Sequence, residues 1–548
     1  MNVTPTDETP TPPRPLILIR GFGGIGVDDE MRSAYQGFND GTVYHTKRGE
    51  NYIYEGFVLR AIKSKRYPYI DATNVIGYYA NDVEPLPGYS GDGYEPDHLK
   101  GQVVIDPATA ASVLEDATQG TIWVYRYYDL SDRTLEAYGK NLHRLIKLIR
   151  AGMRKHGQRF DGVDIVAHSM GGLIVREALI GMGRDAATEL VHKVVTLGTP
   201  HRGISFQRVP DWLLRCLPKV EGAQGELASF SPDSTRFLEV GKKFPAEKIL
   251  TVVGTDYRSY GVPGSAFANR VSTFIDTGSL AVNRSDGLVQ QASAQLPGAP
   301  RTFIHKCHGG TDSLVTSREA YEIAMRFFHG THRAKLWLDD AEILHGGDRF
   351  GRSEFYLGIA IKPRCLDFFL FNQHRDAENC YGPFADTSLN DDVPDLAEEL
   401  SLPLAERGDL TTGWAGPDRM LWEGWFDIGE KADDLPGMVF RLDVYVGERD
   451  KFGIGFSDNV VFQKQYYVQV FPDEQPVSVF VHTTDEHLGR SSTTAADLAQ
   501  LAGDDYLANV QRATKADDRH EWTFRVGGTG FRGTLRLGID SASDGDVG

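Results

Sequence analysis

The chain has 548 residues, 41% of them hydrophobic and 24% charged, with a formal net charge of −18. That length is more than one core sustains and predicts two or three domains of roughly 100 to 200 residues. The acidic balance excludes duplex nucleic acid as a natural partner, since its phosphates call for clustered Lys and Arg, and Cys216, Cys307, Cys365 and Cys380 are too scattered for a disulfide scaffold or a structural zinc site.

Residues 1–15 are polar and rich in Pro and Thr, which predicts a disordered tail without the basic start and apolar stretch of a secretory signal. No later run approaches the roughly 20 apolar residues of a membrane span. The expectation is a soluble, cytoplasmic protein.

From 16 to 330, short apolar runs alternate with helical periods. The runs lie at 16–19, 121–125, 163–167, 194–197, 249–253 and 302–304, the pattern of a mostly parallel sheet with helices on both faces. Between the second and third runs, Leu135, Tyr138, Leu142, Leu145 and Ile149 recur by threes and fours, so 131–153 is expected as an amphipathic crossover helix. Two stretches break the alternation and read as insertions, a Tyr- and Gly-rich one at about 28–118 and another at about 203–248. Within the latter, Trp212, Leu213, Leu214 and Leu217 make a short apolar patch at 210–220, read either as a lid helix or as packing beneath a long loop.

Chemistry first shows at Val163-Asp-Ile-Val-Ala167-His168-Ser169-Met170-Gly171-Gly172. An apolar strand runs into a small-residue turn and then a helix rich in Leu and Ile. This is the pattern of a nucleophile elbow, in which a sharp strand-to-helix turn lifts a serine hydroxyl above the sheet. Ala167 stands where a glycine is more usual and keeps the position small. Helix dipole and the amide of Met170 would both favour negative charge developing beside Ser169. His168, adjacent to the serine, has the wrong geometry for its base.

Together with Thr196-Leu-Gly-Thr-Pro-His-Arg-Gly203, Ser285-Asp-Gly-Leu-Val289 and His308, this elbow resembles the bacterial lipase and esterase family of α/β-hydrolase-fold serine hydrolases, over 16–330. The segment around Gly198-Thr199-Pro200-His201 resembles a structural stretch of that family and supplies no catalytic group, and 231–238 resembles a cap segment. The resemblance implies an α/β-hydrolase fold and ester hydrolysis through a Ser, Asp, His triad. Two acids compete: Asp256 directly follows the run at 249–253, as topology favours, whereas Asp286 sits in the segment that resembles the family's acid loop. Two bases compete as well, His305 at the end of the run at 302–304 and His308 in the loop beyond it. The family pattern selects Ser169, Asp286 and His308. An oxyanion hole is then expected from the amides of Met170 and Phe22, the latter in Ile19-Arg20-Gly21-Phe22-Gly23-Gly24, where Arg20 replaces the family's usual histidine.

Beyond residue 332 the character changes to short β-prone runs at 355–361, 368–371, 439–446, 465–470 and 477–481, broken by Gly, Pro and Asp clusters. That predicts an all-β sandwich over 332–548. Residues 331–548 carry 39 acidic against 21 basic side chains and so hold the whole net charge, while 1–330 balances at 37 of each. The opening of this region resembles calcium- and phospholipid-binding sandwich domains of the synaptotagmin kind. The resemblance makes Asp348, Glu354, Glu448, Asp450 and Asp458 candidate calcium ligands, although Glu354 and Glu448 stand where aspartates are usual. A sandwich that meets a membrane or protein partner without metal is the other expectation.

The function expected is carboxylic-ester hydrolysis by a lipase or phospholipase, with no cofactor in the catalytic step. Alternatives within the same fold are a membrane-attacking phospholipase effector, an acyltransferase, and a hydrolase-fold binding protein without turnover.

Overall fold

The computed structural model describes residues 13–21, 38, 42–44, 51–53, 55–67, 73–76, 115–126, 135–201, 236–257, 284–310, 312–344, 353–364, 366–381, 419–427, 438–450, 459–472, 474–483, 494–503, 508–516 and 520–542. Contacts divide the chain into two compact units. The first comprises Met1–Ile249, Leu296–Ala299 and Gly309–Arg318; the second comprises Leu250–Gln295, Pro300–His308 and Glu319–Gly548.

In the first unit the described elements are β1 (Leu16–Ile19), the hairpin strands β2 (Thr42–Tyr44) and β3 (Asn51–Ile53), α1 (Phe57–Lys63), β4 (Thr73–Ile76), β5 (Ile122–Arg126), α2 (Leu135–Lys155), β6 (Val163–His168), α3 (Met170–Met182), α4 (Arg184–Leu190), β7 (Val191–Leu197) and α5 (Arg236–Lys243). Five of these strands lie side by side and parallel in the order β4-β5-β1-β6-β7. Every residue of β1 and of β6 is buried, as strands covered on both faces require, and this is why they read as continuous apolar runs rather than as alternations. One finding was hidden in the sequence: β4 comes from within 28–118, the stretch that reads as an insertion, yet it is a sheet strand beside β5.

Helix α2 buries the face carrying Leu135, Tyr138, Leu142, Leu145 and Ile149, and these side chains join β1, β6 and α3 in one core. At Gly139 the two helices come so close that a Cβ would lie 2.8 Å from the Ala178 backbone nitrogen. Any side chain there would push α2 away from α3.

The second unit starts within β8 (Ile249–Gly254), which pairs in parallel with β9 (Arg301–Ile304). After α6 (Arg318–His329), the chain makes two antiparallel sheets. One has the order β13-β10-β20-β19-β18 and the other β12-β11-β14-β15-β16-β17. Their strands are β10 (His332–Ile343), β11 (Ser353–Pro363), β12 (Phe371–Asn372), β13 (Met420–Phe426), β14 (Met438–Asp450), β15 (Val460–Phe471), β16 (Ser478–His482), β17 (Val510–Arg512), β18 (Thr514–Lys515), β19 (Glu521–Gly527) and β20 (Phe531–Ser541), with the short helix α7 (Ala495–Leu501) after β16.

Facing side chains close the two sheets into a sandwich. Phe440 of β14 stacks on Phe426 of β13 and meets Trp422, and Phe462 of β15 meets Phe531 of β20. The Tyr466 hydroxyl accepts a 2.8 Å hydrogen bond from the Gly527 amide across the same interior. A phenol buried in this way finds its polar partner inside the core, and burial pushes Tyr466 up to about 12. The run expected at 368–371 is a strand only in its last residue, continuing to Asn372.

Candidate active site

Ser169 sits between the last residue of β6 and the first turn of α3, with φ 53° and ψ −125°. A side chain in this positive-φ region costs about 1–3 kcal/mol and persists only where its surroundings hold it. Here they do. The Ser169 amide donates to the Leu197 carbonyl at 2.9 Å, and its carbonyl accepts from the Gly172 amide at 3.0 Å and from the Thr199 hydroxyl at 2.9 Å.

The small residues around the turn have measurable reasons. A Cβ on Gly171 would lie 2.6 Å from the Ile19 carbonyl oxygen, one on Gly172 would lie 2.1 Å from Thr199 Oγ1, and one on Gly21 would lie 2.4 Å from Ser169 Cβ. The strand end of β1 and the segment after β7 thus both press on the elbow. Ala167 is fully buried and keeps its methyl without displacing the turn.

The segment 198–201 therefore acts on the site through Thr199, a contribution that sequence reasoning missed because it took the motif only as a mark of family. Behind it, His201 is buried, with Nε2 3.1 Å from Thr196 Oγ1 and its carbonyl accepting from Arg176 at 2.9 Å. Burial, with the Arg176 charge added, holds its imidazole well below the usual histidine range. His168 ends β6 and is buried.

In the second unit, the loops after β8 and β9 hold two acid and base pairs of different quality. His308 Nδ1 lies 2.8 Å from Asp286 Oδ2, and the His308 amide donates to the Asp286 carbonyl at 2.9 Å, so side chain and backbone both tie the two loops. The other carboxylate oxygen, Oδ1, accepts from the amides of Leu288 and Val289 at 3.0 and 2.7 Å. Both residues are buried. By contrast, His305 Nε2 is 3.9 Å from Asp256 Oδ2, too long for a hydrogen bond. Its Nδ1 lies 3.2 Å from Thr255 Oγ1 and its ring meets His374 edge to face.

The acid loop has a support that no local motif announces. The Arg284 amide donates to the buried Glu378 carboxylate at 3.1 Å, and Gln291 Nε2 donates to the Ala377 carbonyl at 2.9 Å. Glu378 itself has φ 51°. Strand β9 is held the same way, with Thr302 Oγ1 donating to the Leu370 carbonyl at 2.7 Å and Phe303 packing on Phe371.

Of the expected oxyanion donors, Met170 is the first residue of α3 and Phe22 lies outside the described residues. Among the calcium candidates, Asp348 and Asp458 lie outside them, as do the side chains of Glu354 and Asp450. Glu448 is described, 3.5 Å from Asn459 Nδ2. Among the described residues no group of three or more His, Cys, Asp or Glu could hold a metal ion, and no helix is long and apolar enough to cross a membrane. The apolar patch at 210–220 also lies outside the described residues.

Residues 125–211, from β5 through the elbow to the segment after Thr199, match the model of the PGAP1-like alpha/beta domain. No curated protein matches the chain. Solved structures that it resembles include lipase BlEst2 of Bacillus licheniformis in its propeptide form, at 14% identity over 65% of this chain and 88% of that one, with a TM-score of 0.25. Phospholipase PlaB of Legionella pneumophila is 15% identical over 62% of this chain and 80% of that one, with a TM-score of 0.28. These likenesses are too distant to transfer an activity. The parallel sheet and the serine held at positive φ between strand β6 and helix α3 give this chain the α/β-hydrolase fold, and the matched domain spans that elbow.

Proposed function

We propose that the chain is a serine carboxylic-ester hydrolase that acts on lipid esters, with Ser169 as nucleophile, His308 as base and Asp286 as acid. The observation that carries this reading is the 2.8 Å bond from His308 Nδ1 to a buried Asp286 carboxylate. With Nδ1 committed to the carboxylate, Nε2 is the atom left to take a proton from the serine and return it to the leaving group. The Asp286 carboxylate orients the ring and stabilises its charged form, while the two backbone amides on Oδ1 keep the carboxylate from turning.

Attack by Ser169 on the ester carbonyl forms an acyl-enzyme and releases the alcohol; water then attacks the acyl-enzyme with His308 again as base. Negative charge on the carbonyl oxygen is met by the Met170 amide at the start of α3 and, in this reading, by the Phe22 amide just past Gly21. The lipid preference extends the resemblance of the elbow and its partner segments to bacterial lipases and esterases.

The test is fatty-acid release from a panel of triacylglycerols, phospholipids and short-chain esters, together with labelling by a fluorophosphonate probe. Ser169→Ala should lower hydrolysis by roughly 10⁴-fold or more and abolish labelling while leaving the thermal midpoint close to that of the parent. Hydrolysis that survives this substitution rejects the assigned nucleophile.

A further inference from the structure

The second unit holds a cavity of about 100 Å³ on the outer face of the six-stranded sheet, and its polar lining is Lys362, Arg364, Arg441, Tyr467 and His482. Four of these stand in one row across four strands: Lys362 is opposite Arg441, Arg441 opposite Tyr467, and Tyr467 opposite His482. The row faces away from the sandwich interior, because the neighbouring Phe440, Leu442, Tyr466 and Val468 are the residues turned inward and buried. No carboxylate is among the lining residues.

Three cations meeting here run against the composition of the region, whose 331–548 segment carries 39 acidic and 21 basic side chains. They also run against sheet energetics. Like charges directly opposite one another on the same face of an antiparallel pair destabilise it, and Lys362 and Arg441 are such a pair. Asp443 offsets part of this by taking a two-pronged hydrogen bond from Arg441 Nε and Nη2, at 2.6 and 2.5 Å.

The lining is also held in place. The Arg441 guanidinium lies over the Phe369 ring, 5.4 Å from its centroid, and the rings of Tyr467 and His482 stack at 5.4 Å with 20° between their planes. Heads fixed in this way lose little side-chain freedom when a ligand arrives, and this is where much of the affinity of a small charged site originates.

We propose that this cavity binds the phosphate of a phosphomonoester. Its volume of about 100 Å³ admits one tetrahedral oxyanion. Lys362, Arg364 and Arg441 bring three cationic side chains to it, and Asp443 answers Arg441. A phosphomonoester carries a charge of about −1.5 to −2 at pH 7 and offers three acceptor oxygens to such donors. The site stands independently of the ester-hydrolase reading, since none of its residues belongs to the elbow or to the loops of Asp286 and His308.

The full chain should be titrated with inorganic phosphate in a calorimeter, against chloride at equal ionic strength. Saturable binding is expected, weakened at least about tenfold in both Lys362→Glu and Arg364→Gln, as loss of one charge-assisted partner implies. Lys515→Glu, an exposed position on β18 in the other sheet, should bind as the parent does. Sedimentation with phosphatidylcholine vesicles containing phosphatidate then distinguishes the sources. Co-sedimentation that inorganic phosphate competes away assigns the phosphate to a lipid headgroup, whereas phosphate binding without co-sedimentation assigns it to a soluble ester. Should Lys362→Glu shift the thermal midpoint in the absence of ligand, the charge-removing Arg364→Gln decides. The proposal is overturned if the parent takes up no phosphate above the chloride control, or if both pocket variants bind it as tightly as the parent.

Discussion

Single side chains carry most of what is chemically distinctive here, and His374 shows how far one half-buried group reaches. Burial, with the neighbouring His305 charge adding to it, pushes this imidazole from its ordinary 6.5 down to about 4. The unfolded chain therefore binds a proton in the window from about 6.5 to 4 that the folded chain refuses, and stability falls as pH drops through it. His201, also held low, acts in the same direction. His374→Phe should flatten the dependence of the thermal midpoint on pH between 6.5 and 4; a slope identical to the parent's would show that His374 does not set it. At this scale the elbow was open to reading, because strand, serine and helix are contiguous and each residue's role is local. The acid and base were less so, since topology favoured Asp256 while the family resemblance selected Asp286 with His308. Asp256 and His305 stand 3.9 Å apart, whereas His308 lies 2.8 Å from Asp286. Thr199 was legible as part of a motif, but its bond to the Ser169 carbonyl depends on where β7 ends relative to α3.

Elements were legible in proportion to how strongly burial patterned them. The six apolar runs of 16–330 correspond to β1, β5, β6, β7, β8 and β9, each within three residues at either end, because a parallel strand covered on both faces has nothing but apolar positions to offer. Strand β4 escaped notice, as Thr73-Asn74-Val75-Ile76 is short and half polar. Strand β19 alternates cleanly in Glu521-Trp522-Thr523-Phe524-Arg525-Val526, yet seven residues beside an Asp-rich stretch make a weak signal. The run at 368–371 misled in the other direction. Its Phe369 lies beneath Arg441 instead of in a ladder, so apolar content alone was no guide there. The approach of α3 to the segment after β7 gives a prediction at the same scale. Gly172→Ala would drive its methyl into Thr199 and force either the helix start or the threonine to move. A loss of about 1–3 kcal/mol in denaturant unfolding is expected for such overpacking, together with slower ester hydrolysis. An unchanged midpoint would mean that the elbow tolerates a looser fit than its contacts imply.

For the molecule as a whole, the sandwich is no detachable appendage. Its Leu370, Phe371, Ala377 and Glu378 clasp β9 and the loop that leads to Asp286, all inside one compact unit. Glu378→Ala, which leaves the Arg284 amide without its acceptor, should lower kcat for ester hydrolysis about ten- to hundredfold through a displaced carboxylate, the order expected for small misplacements at a reacting centre. KM should move much less, and Glu378→Gln should restore most of the loss. A variant that hydrolyses at the parental rate would show that the clasp is dispensable. None of this could be read from the sequence, where the charge step near residue 330 supports a domain boundary. The clasp has a further consequence during synthesis, when domains generally fold in the order in which they emerge. Strand β20, near the end of the chain, lies between β10 and β19 in the interior of its sheet, so the sandwich cannot close until that strand has left the ribosome. The serine elbow is complete long before, but the imidazole and carboxylate gain their scaffold only with the last strand.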